Sequence, residues 1–433
     1  MRFNEKNEIV TTEEYHAILV GLQLQDDISY SMEELGGLAE AAGIHVVGEM
    51  IQNKERPDKA TLIGKGKVEE LAEVCRNMEA DIVIFNDELS GMQLRNLEDK
   101  LQVRVLDRTI LILDIFASRA TSKEGKLQVE LAQLQYRLPR LTGFGKSLSQ
   151  QGAGIGTRGP GEKKLETDRR HILRRMDEIK KELAQVKSTR ATQRSKREKS
   201  NIPVVALVGY TNSGKSAIMN RLLQLTEKED KSVFEHNMLF ATLDTSQRSI
   251  KLETNQEFIL IDTVGFVSKL PHSLVQAFKS TLEEVTYADL LLHVVDASFP
   301  GHDFHIKVTN KVLAEIGVSS TEKIMIYNKM DIAGETLSLP VNGEKTIYIS
   351  AKTGNNMDQV LDAIKDRLFS DRTKVSLLVP YDRGDITSYI REKYEIHHIE
   401  YREEGTYLES EISSADRGRL ETYILNKEDV FSG

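Results

Sequence analysis

A single cysteine, Cys75, leaves no partner for an intrachain disulfide and excludes a multi-cysteine zinc site. Its ordinary reading is a small apolar side chain on a helix. Long hydrophobic runs are also missing. The longest, such as Leu290 to Val295, have the length of a strand, well short of the ~20 residues a membrane-spanning helix needs. The polar start, Met1 to Val10, lacks the apolar stretch of a secretory signal. Together these absences point to a cytoplasmic protein with no integral membrane segment. What is present is a balance ordinary for globular proteins, 39% apolar and 29% charged. At 433 residues there is material for two to four domains, each with its own core.

The formal net charge of −9 argues against a nucleic-acid partner, but the charge is unevenly spread. Lys163 to Lys199 holds fourteen Lys/Arg against six Asp/Glu, a local balance of +8 in an otherwise acidic chain. A basic segment in such a setting suits a local anionic partner, although many charge runs are merely solvated helix faces.

Four regions follow one another. In residues 1–122, apolar runs at Ala17–Leu24, His45–Ile51, Asp81–Phe85 and Val103–Leu106 alternate with helical patterns at Met32–Ala42, Val68–Met78 and Leu89–Lys100. That alternation predicts an α/β domain with a mainly parallel sheet. In residues 123–200, Leu127, Leu131, Leu134 and Leu138 form one helical stripe ending near Pro139, and Leu165, Ile172, Met176, Ile179, Leu183 and Val186 form a heptad-like second. Between them Thr142 to Gly161 carries seven glycines, with Lys146, Arg158, Lys163 and Lys164 nearby. This predicts an antiparallel helical hairpin with a Gly-rich basic loop, and Thr189 to Asn201 reads as a fraying linker. The loop is either a disordered insertion or a surface for RNA, where glycine allows close backbone approach and the cations neutralise phosphate. Residues 201–371 return to βα alternation. Residues 372–433 read as a small α+β unit, with strands at Val375–Val379, His397–Tyr401 and Thr406–Ile412 and helices at Ile386–Lys393 and Ser414–Leu425.

The third region carries the chemistry. After the strand-like Val204–Val208 comes Gly209-Tyr210-Thr211-Asn212-Ser213-Gly214-Lys215-Ser216 and then a helical pattern. This is the phosphate loop in its strand–loop–helix setting. Gly209 and Gly214 let backbone N–H groups turn inward around a polyphosphate, Lys215 supplies positive charge to the β- and γ-phosphates, and Ser216 offers a hydroxyl to Mg2+. The base is specified by Asn328-Lys329-Met330-Asp331. The Asp331 carboxylate can accept from both the N1–H and the 2-amino group of guanine, whereas adenine has no N1 donor and would leave it unpaired. Ser350-Ala351-Lys352 would present backbone N–H groups to the guanine O6. Two further elements would sense the γ-phosphate. Asp262-Thr263-Val264-Gly265 suits the metal's surroundings through Asp262 and the phosphate through the Gly265 N–H. In Phe240-Ala241-Thr242-Leu243-Asp244, Thr242 is favoured over its neighbour Thr245 as the second Mg2+ hydroxyl. The expected catalytic groups are Lys215, Thr242 and Gly265, with Ser216, Thr242 and Asp262 around the metal. Loss of the γ-phosphate would release both sensing segments. The expectation is a Ras-like P-loop domain with a mostly parallel sheet that binds GTP and GDP and hydrolyses GTP.

Beyond these motifs, Leu62–Leu71 (LIGKGKVEEL), Asp107–Ala120 (DRTILILDIFASRA), Glu124–Arg140 (EGKLQVELAQLQYRLPR) and Gly154–Arg170 (GIGTRGPGEKKLETDRR) resemble the HflX family of translation-factor-related GTPases, from about Ala17 to Leu368. The resemblance implies binding to the large ribosomal subunit and its ribosomal RNA. It further implies a role in splitting or rescuing stalled ribosomes under stress, or in ribosome biogenesis. Phe266 stands where many GTPases place a water-orienting glutamine, and the family shares a hydrophobic residue there. That implies slow intrinsic turnover raised by a partner. Asn212 is either a plain loop residue or a K+ ligand like that of potassium-dependent relatives. An ATP activity ascribed to the family's N-terminal part finds no second phosphate loop here, and Gly64-Lys65-Gly66-Lys67 is either a phosphate clamp or a solvated turn. The chain is expected to act as a monomer. Two other functions fit the same motifs: an RNA- or protein-binding scaffold locked by GTP, and a signalling GTPase acting on a protein effector.

Overall fold

The computed structural model describes residues 15–141, 160–200, 202–226, 240, 246–252, 256–269, 283–318, 320–333 and 346–425. The chain divides into two compact units. The first comprises Met1–Arg190 with Asn237–Asp244 and Ser268–Lys279; the second comprises Ala191–His236, Thr245–Val267 and Ser280–Gly433.

The first unit opens with four parallel strands: β1 (Tyr15–Gln23), β2 (Ile44–Asn53), β3 (Ile82–Phe85) and β4 (Arg104–Asp107), in the order β2-β1-β3-β4. Helices α1 (Ser29–Ala41), α2 (Lys65–Asn77) and α3 (Gly91–Leu101) connect them. The β3 run IVIF is buried along its whole length, as a parallel strand covered on both faces must be. Its core includes Ile18, Val20, Leu71, Cys75, Val83 and Phe85. Cys75 is buried on α2, in its ordinary role. A helix that the strand–helix alternation does not predict, α4 (Arg108–Arg119), follows at once; the Asp107 side chain caps it by accepting the Ile110 N–H at 2.9 Å. Arg108 is buried in an ion pair with Glu34, and its Nη1 donates to Asn86 Oδ1 at 2.8 Å.

Helices α5 (Lys123–Leu141) and α6 (Pro160–Ser200) pair through the anticipated stripes, with Leu127, Leu131, Met176 and Ile179 buried together. Arg175 meets Glu130 through two bonds of 2.7 and 2.9 Å, while Lys123 meets Glu182 at 3.1 Å. Residues early in one helix thus face residues late in the other, which defines an antiparallel pair. Helix α5 includes Pro139 and reaches Leu141, close to the expected end, but one boundary needs correction: α6 continues to Ser200, so Thr189–Ser200 is helical and not a frayed linker. Its Ala, Gln, Lys and Arg residues are strong helix formers even without an apolar stripe. Most of the Gly-rich loop, with Lys146 and Arg158, lies outside the described residues.

The second unit is built on a six-stranded sheet of order β10-β9-β8-β5-β7-β6. Its strands are β5 (Val204–Gly209), β6 (Ser246–Lys251), β7 (Glu257–Asp262), β8 (Leu290–Asp296), β9 (Lys323–Asn328) and β10 (Thr346–Tyr348). All neighbours run parallel except β6, which is antiparallel to β7. Helices α7 (Lys215–Thr226), α8 (His302–Glu315) and α9 (Met357–Leu368) belong to this sheet, and Val205, Leu207, Ile218, Leu222, Leu292 and Ile324 form the middle of the core. In a sheet of this kind ligands bind beyond the carboxyl ends of the strands. The unit ends in three antiparallel strands ordered β11-β13-β12: β11 (Thr373–Val379), β12 (Ile396–Arg402) and β13 (Gly405–Ile412). Helix α10 (Gly384–Lys393) accompanies them as the sequence pattern anticipated, whereas α11 (Ser414–Arg419) stops short of the expected Leu425, with a single 3-10 turn at Glu421–Tyr423 after it.

Candidate nucleotide site

Strand β5 ends at Gly209 and α7 begins at Lys215, so the phosphate loop spans the turn between them. The backbone there needs its glycines. Gly214 has φ +94°, and any Cβ on it would strike the Asn328 side-chain amide; a Cβ on Gly209 would strike the Val294 carbonyl. Asn212 also adopts the left-handed region, at φ 58°, which asparagine tolerates better than most residues.

Lys215 is buried. Its ammonium donates to the Tyr210 carbonyl at 2.8 Å and the Gly209 carbonyl at 3.1 Å. Burial lowers its pKa to about 8, partly opposed by Asp262. The Ser216 hydroxyl donates to Asp262 Oδ2 at 2.6 Å. Thr263 donates its hydroxyl to the Leu207 carbonyl at 2.7 Å, fixing the start of the D-x-x-G segment on β5. The segment then lies along the phosphate loop: the Phe266 N–H donates to the Gly209 carbonyl at 3.1 Å, and the Thr211 N–H donates to the Phe266 carbonyl at 2.7 Å. Val264 and Phe266 are buried. A Cβ on Gly265 would strike the Thr211 backbone, 2.5 Å from its Cα, so glycine is needed for this close approach to the phosphate loop.

The base-side motifs end neighbouring strands. Asn328, at the end of β9, donates to the Ser213 carbonyl at 2.9 Å and accepts the Ala351 N–H at 3.0 Å. Of the three amides expected to face guanine O6, that of Ala351 is therefore turned toward Asn328, and that of Ser350 donates to the Asn355 carbonyl at 3.2 Å. Lys329, at φ 66°, forms a 2.6 Å ion pair with Asp296. Met330 donates its N–H to the Ile349 carbonyl, and Asp331 accepts the Ser350 hydroxyl at 2.8 Å. Lys352 follows in the same turn.

Of the sequence-derived residues, the phosphate loop, Asp262–Gly265, Asn328–Asp331 and Ser350–Lys352 thus converge at one end of one sheet. Ala241, Thr242, Leu243, Asp244 and the rival Thr245 lie outside the described residues. Phe240 is buried edge-on against Phe116, 4.6 Å between ring centroids, within the first unit. Gly64 caps the start of α2, with its N–H on Gln52 Oε1 at 2.8 Å, and Lys67 pairs with Glu70 at 2.8 Å. Two residues escaped the sequence reading. Asp296 could have been found as a carboxylate at the carboxyl end of a central strand. His305, stacked on Tyr210, carries no sequence signal at all.

A phosphate loop at the end of a central parallel strand, with the Asn328–Asp331 and Ser350–Lys352 turns after β9 and β10 at the same end of the sheet, is the arrangement of a P-loop GTPase. Three family models match in succession: a GTP-binding GTPase N-terminal region over residues 29–117, a GTP-binding GTPase middle region over 119–197 and a 50S ribosome-binding GTPase over 204–329. The chain belongs to the HflX family of GTPases. It is 47% identical over 419 residues to the GTPase HflX of Caldanaerobacter subterraneus subsp. tengcongensis, covering 97% of this chain and 96% of that relative. With the GTPase HflX of Escherichia coli it shares 39% identity over 377 residues, covering 86% and 87%. Among solved structures, a GTP-binding protein from Sulfolobus solfataricus in complex with GDP is similar at 26% identity and a TM-score of 0.43, covering 82% of this chain and 99% of that one. The protein is thus a GTP-hydrolysing enzyme. No helix among the described residues is long and apolar enough to cross a membrane.

Proposed function

We propose that this GTPase docks on the large ribosomal subunit, and that GTP binding and hydrolysis set its docking and release in the splitting or rescue of stalled ribosomes. The observation that carries the reading is the antiparallel α5/α6 pair, whose second helix bears the concentrated positive charge of an otherwise acidic chain. A long cationic hairpin suits ribosomal RNA, which binds cations by releasing counterions. The 50S ribosome-binding description of the matching GTPase model supports the same partner.

On this reading the chain works as four segments within a cytoplasmic monomer: 1–122, the hairpin 123–200, the GTPase domain 201–371 and the small unit 372–433. Asp331 reads the guanine N1–H and 2-amino group, Lys329 lies beside the base, and the phosphate-loop N–H groups with Lys215 hold the phosphates. The hydroxyl of Ser216 and the carboxylate of Asp262, 2.6 Å apart, are the hard oxygen donors Mg2+ prefers, so the residues present fit that ion, with Thr242 as the further hydroxyl. Bound there, Mg2+ would neutralise charge on the β- and γ-phosphates. Gly265 meets the γ-phosphate through its N–H. Phe266 is buried against the phosphate loop and has no group to orient the attacking water, so turnover by the protein alone is slow. Asn212 would hold K+ near the phosphates, and the ion would supply the charge an arginine finger otherwise brings.

Co-sedimentation tests the docking. The protein should pellet with large ribosomal subunits in a non-hydrolysable GTP analogue and stay in the supernatant with GDP. Equal pelleting in both would favour a scaffold whose shape does not follow its nucleotide, and none in either would contradict ribosomal docking.

A further inference from the structure

His305 lies near the start of α8, only 7% exposed, and plays no part in the mechanism above. Its ring is stacked on Tyr210, with centroids 3.7 Å apart and planes 11° from parallel, and also on Phe299, at 4.4 Å and 14°. Two near-parallel rings this close to one imidazole cannot share a face without overlapping, so His305 is sandwiched. Phe299 comes from the turn after β8, and Tyr210 is the second residue of the phosphate loop.

Tyr210 occupies a sensitive place. Its carbonyl is the nearer of the two oxygens that hold the Lys215 ammonium, at 2.8 Å against 3.1 Å for Gly209. Its backbone also bridges Phe266, the residue after the D-x-x-G motif. Gly209 precedes it, and Asn212 and Gly214 follow with positive φ. Its carbonyl also accepts the Ser213 N–H at 3.3 Å, and to these backbone bonds the ring adds a side-chain anchor, buried against His305.

We propose that His305 is a positioning residue for GTP turnover: held between Phe299 and Tyr210, it fixes the Tyr210 carbonyl and so the direction in which Lys215 presents its charge to the β- and γ-phosphates. This rests on the assignment of the phosphate loop to the nucleotide. The imidazole acts as a flat spacer and not as a proton carrier. Burial lowers its pKa to about 4, with His302 and Lys329 pushing the same way and Asp296 opposing, so the ring is neutral at physiological pH.

The test compares His305→Ala and His305→Phe in the full-length protein, by steady-state GTP turnover, binding of GDP and guanosine, and melting temperature. His305→Ala is expected to raise the GTP KM and the GDP Kd about three- to tenfold, the scale of one or two aromatic contacts. Guanosine, which has no phosphate, should bind as to the wild type. His305→Phe keeps the stack and should restore near-normal constants with an unchanged pH profile from about pH 6 to 8. Equal loss of guanosine and GDP affinity would reduce His305 to a fold-supporting residue, and a His305→Phe variant as impaired as His305→Ala would demand a hydrogen bond or a proton. Should His305→Ala not fold, Phe299→Leu loosens the sandwich from the other side and must show the same phosphate-selective loss. Lys215→Ala serves as the control: if it binds GDP like the wild type, the phosphate-loop assignment fails whatever His305 does.

Discussion

Asn328 ties Ser213 to the base-reading half of the site: its side-chain N–H donates to the Ser213 carbonyl at 2.9 Å while its carbonyl takes the Ala351 N–H at 3.0 Å. One buried amide thus joins the phosphate loop to the Asn328–Asp331 and Ser350–Lys352 turns, proposed above to hold the base. Truncating it leaves two buried backbone groups unpaired, each worth about 1–3 kcal/mol. Asn328→Ala should therefore weaken GDP and GTP together, roughly ten- to a hundredfold by calorimetry. A variant that lost only base selectivity would show that the link to Ser213 carries little.

Asp331 is the test of the base itself. Asp331→Asn replaces a double acceptor by a group that presents donors, so guanine should lose the equivalent of a charged hydrogen bond, about 1.5–3 kcal/mol. Xanthine, which carries a carbonyl where guanine has its 2-amino group, should gain relative to guanine in competition binding. Full guanine selectivity in this variant would contradict the assignment of the base pocket.

Acid should act through His293, in the middle of β8 between β5 and β9. Burial, reinforced by Lys323 and Lys215, lowers its pKa from 6.5 to about 3. Between those values the unfolded chain binds a proton that the folded core refuses, so stability is full above pH 6.5 and falls as pH drops toward 3. The slope is at most about 1.4 kcal/mol per pH unit from this residue. Urea melts of wild type and His293→Leu should show a shallower acid loss in the variant, and parallel pH curves would exclude His293 as the cause.

Potassium separates the two readings of Asn212. With K+ in the site, GTP turnover in KCl should exceed that in NaCl at equal ionic strength, and Asn212→Ala should remove the difference. Equal rates in the two salts would leave Asn212 an ordinary loop residue.

Much of this was legible in the chain because the signals were redundant. Glycines at 209 and 214, a lysine after the second and a strand before the first can hardly mean anything but a phosphate loop. The four short strands of the first unit also stood out between helical patterns, and Leu127/Leu131 matched Met176/Ile179 across the hairpin. Other features had no such redundancy. The run Ile110-Leu111-Ile112-Leu113 fits a strand as well as a helix, and Asp107 decides for α4 by capping it. Helix α6 outlasts its apolar stripe because propensity alone carries Thr189–Ser200. His305 is one histidine of ten on an ordinary amphipathic helix, and its contact with Tyr210, 95 residues earlier in sequence, is created by the tertiary packing alone.

On the proposed function, a ribosomal partner supplies the water-orienting group that Phe266 lacks. Phosphate release should be measured with Mg2+ and GTP, with and without purified large ribosomal subunits. Release should be slow from the protein alone and rise at least tenfold with subunits, a barrier change of about 1.4 kcal/mol. A rate that is fast without them, or unmoved by them, would contradict it.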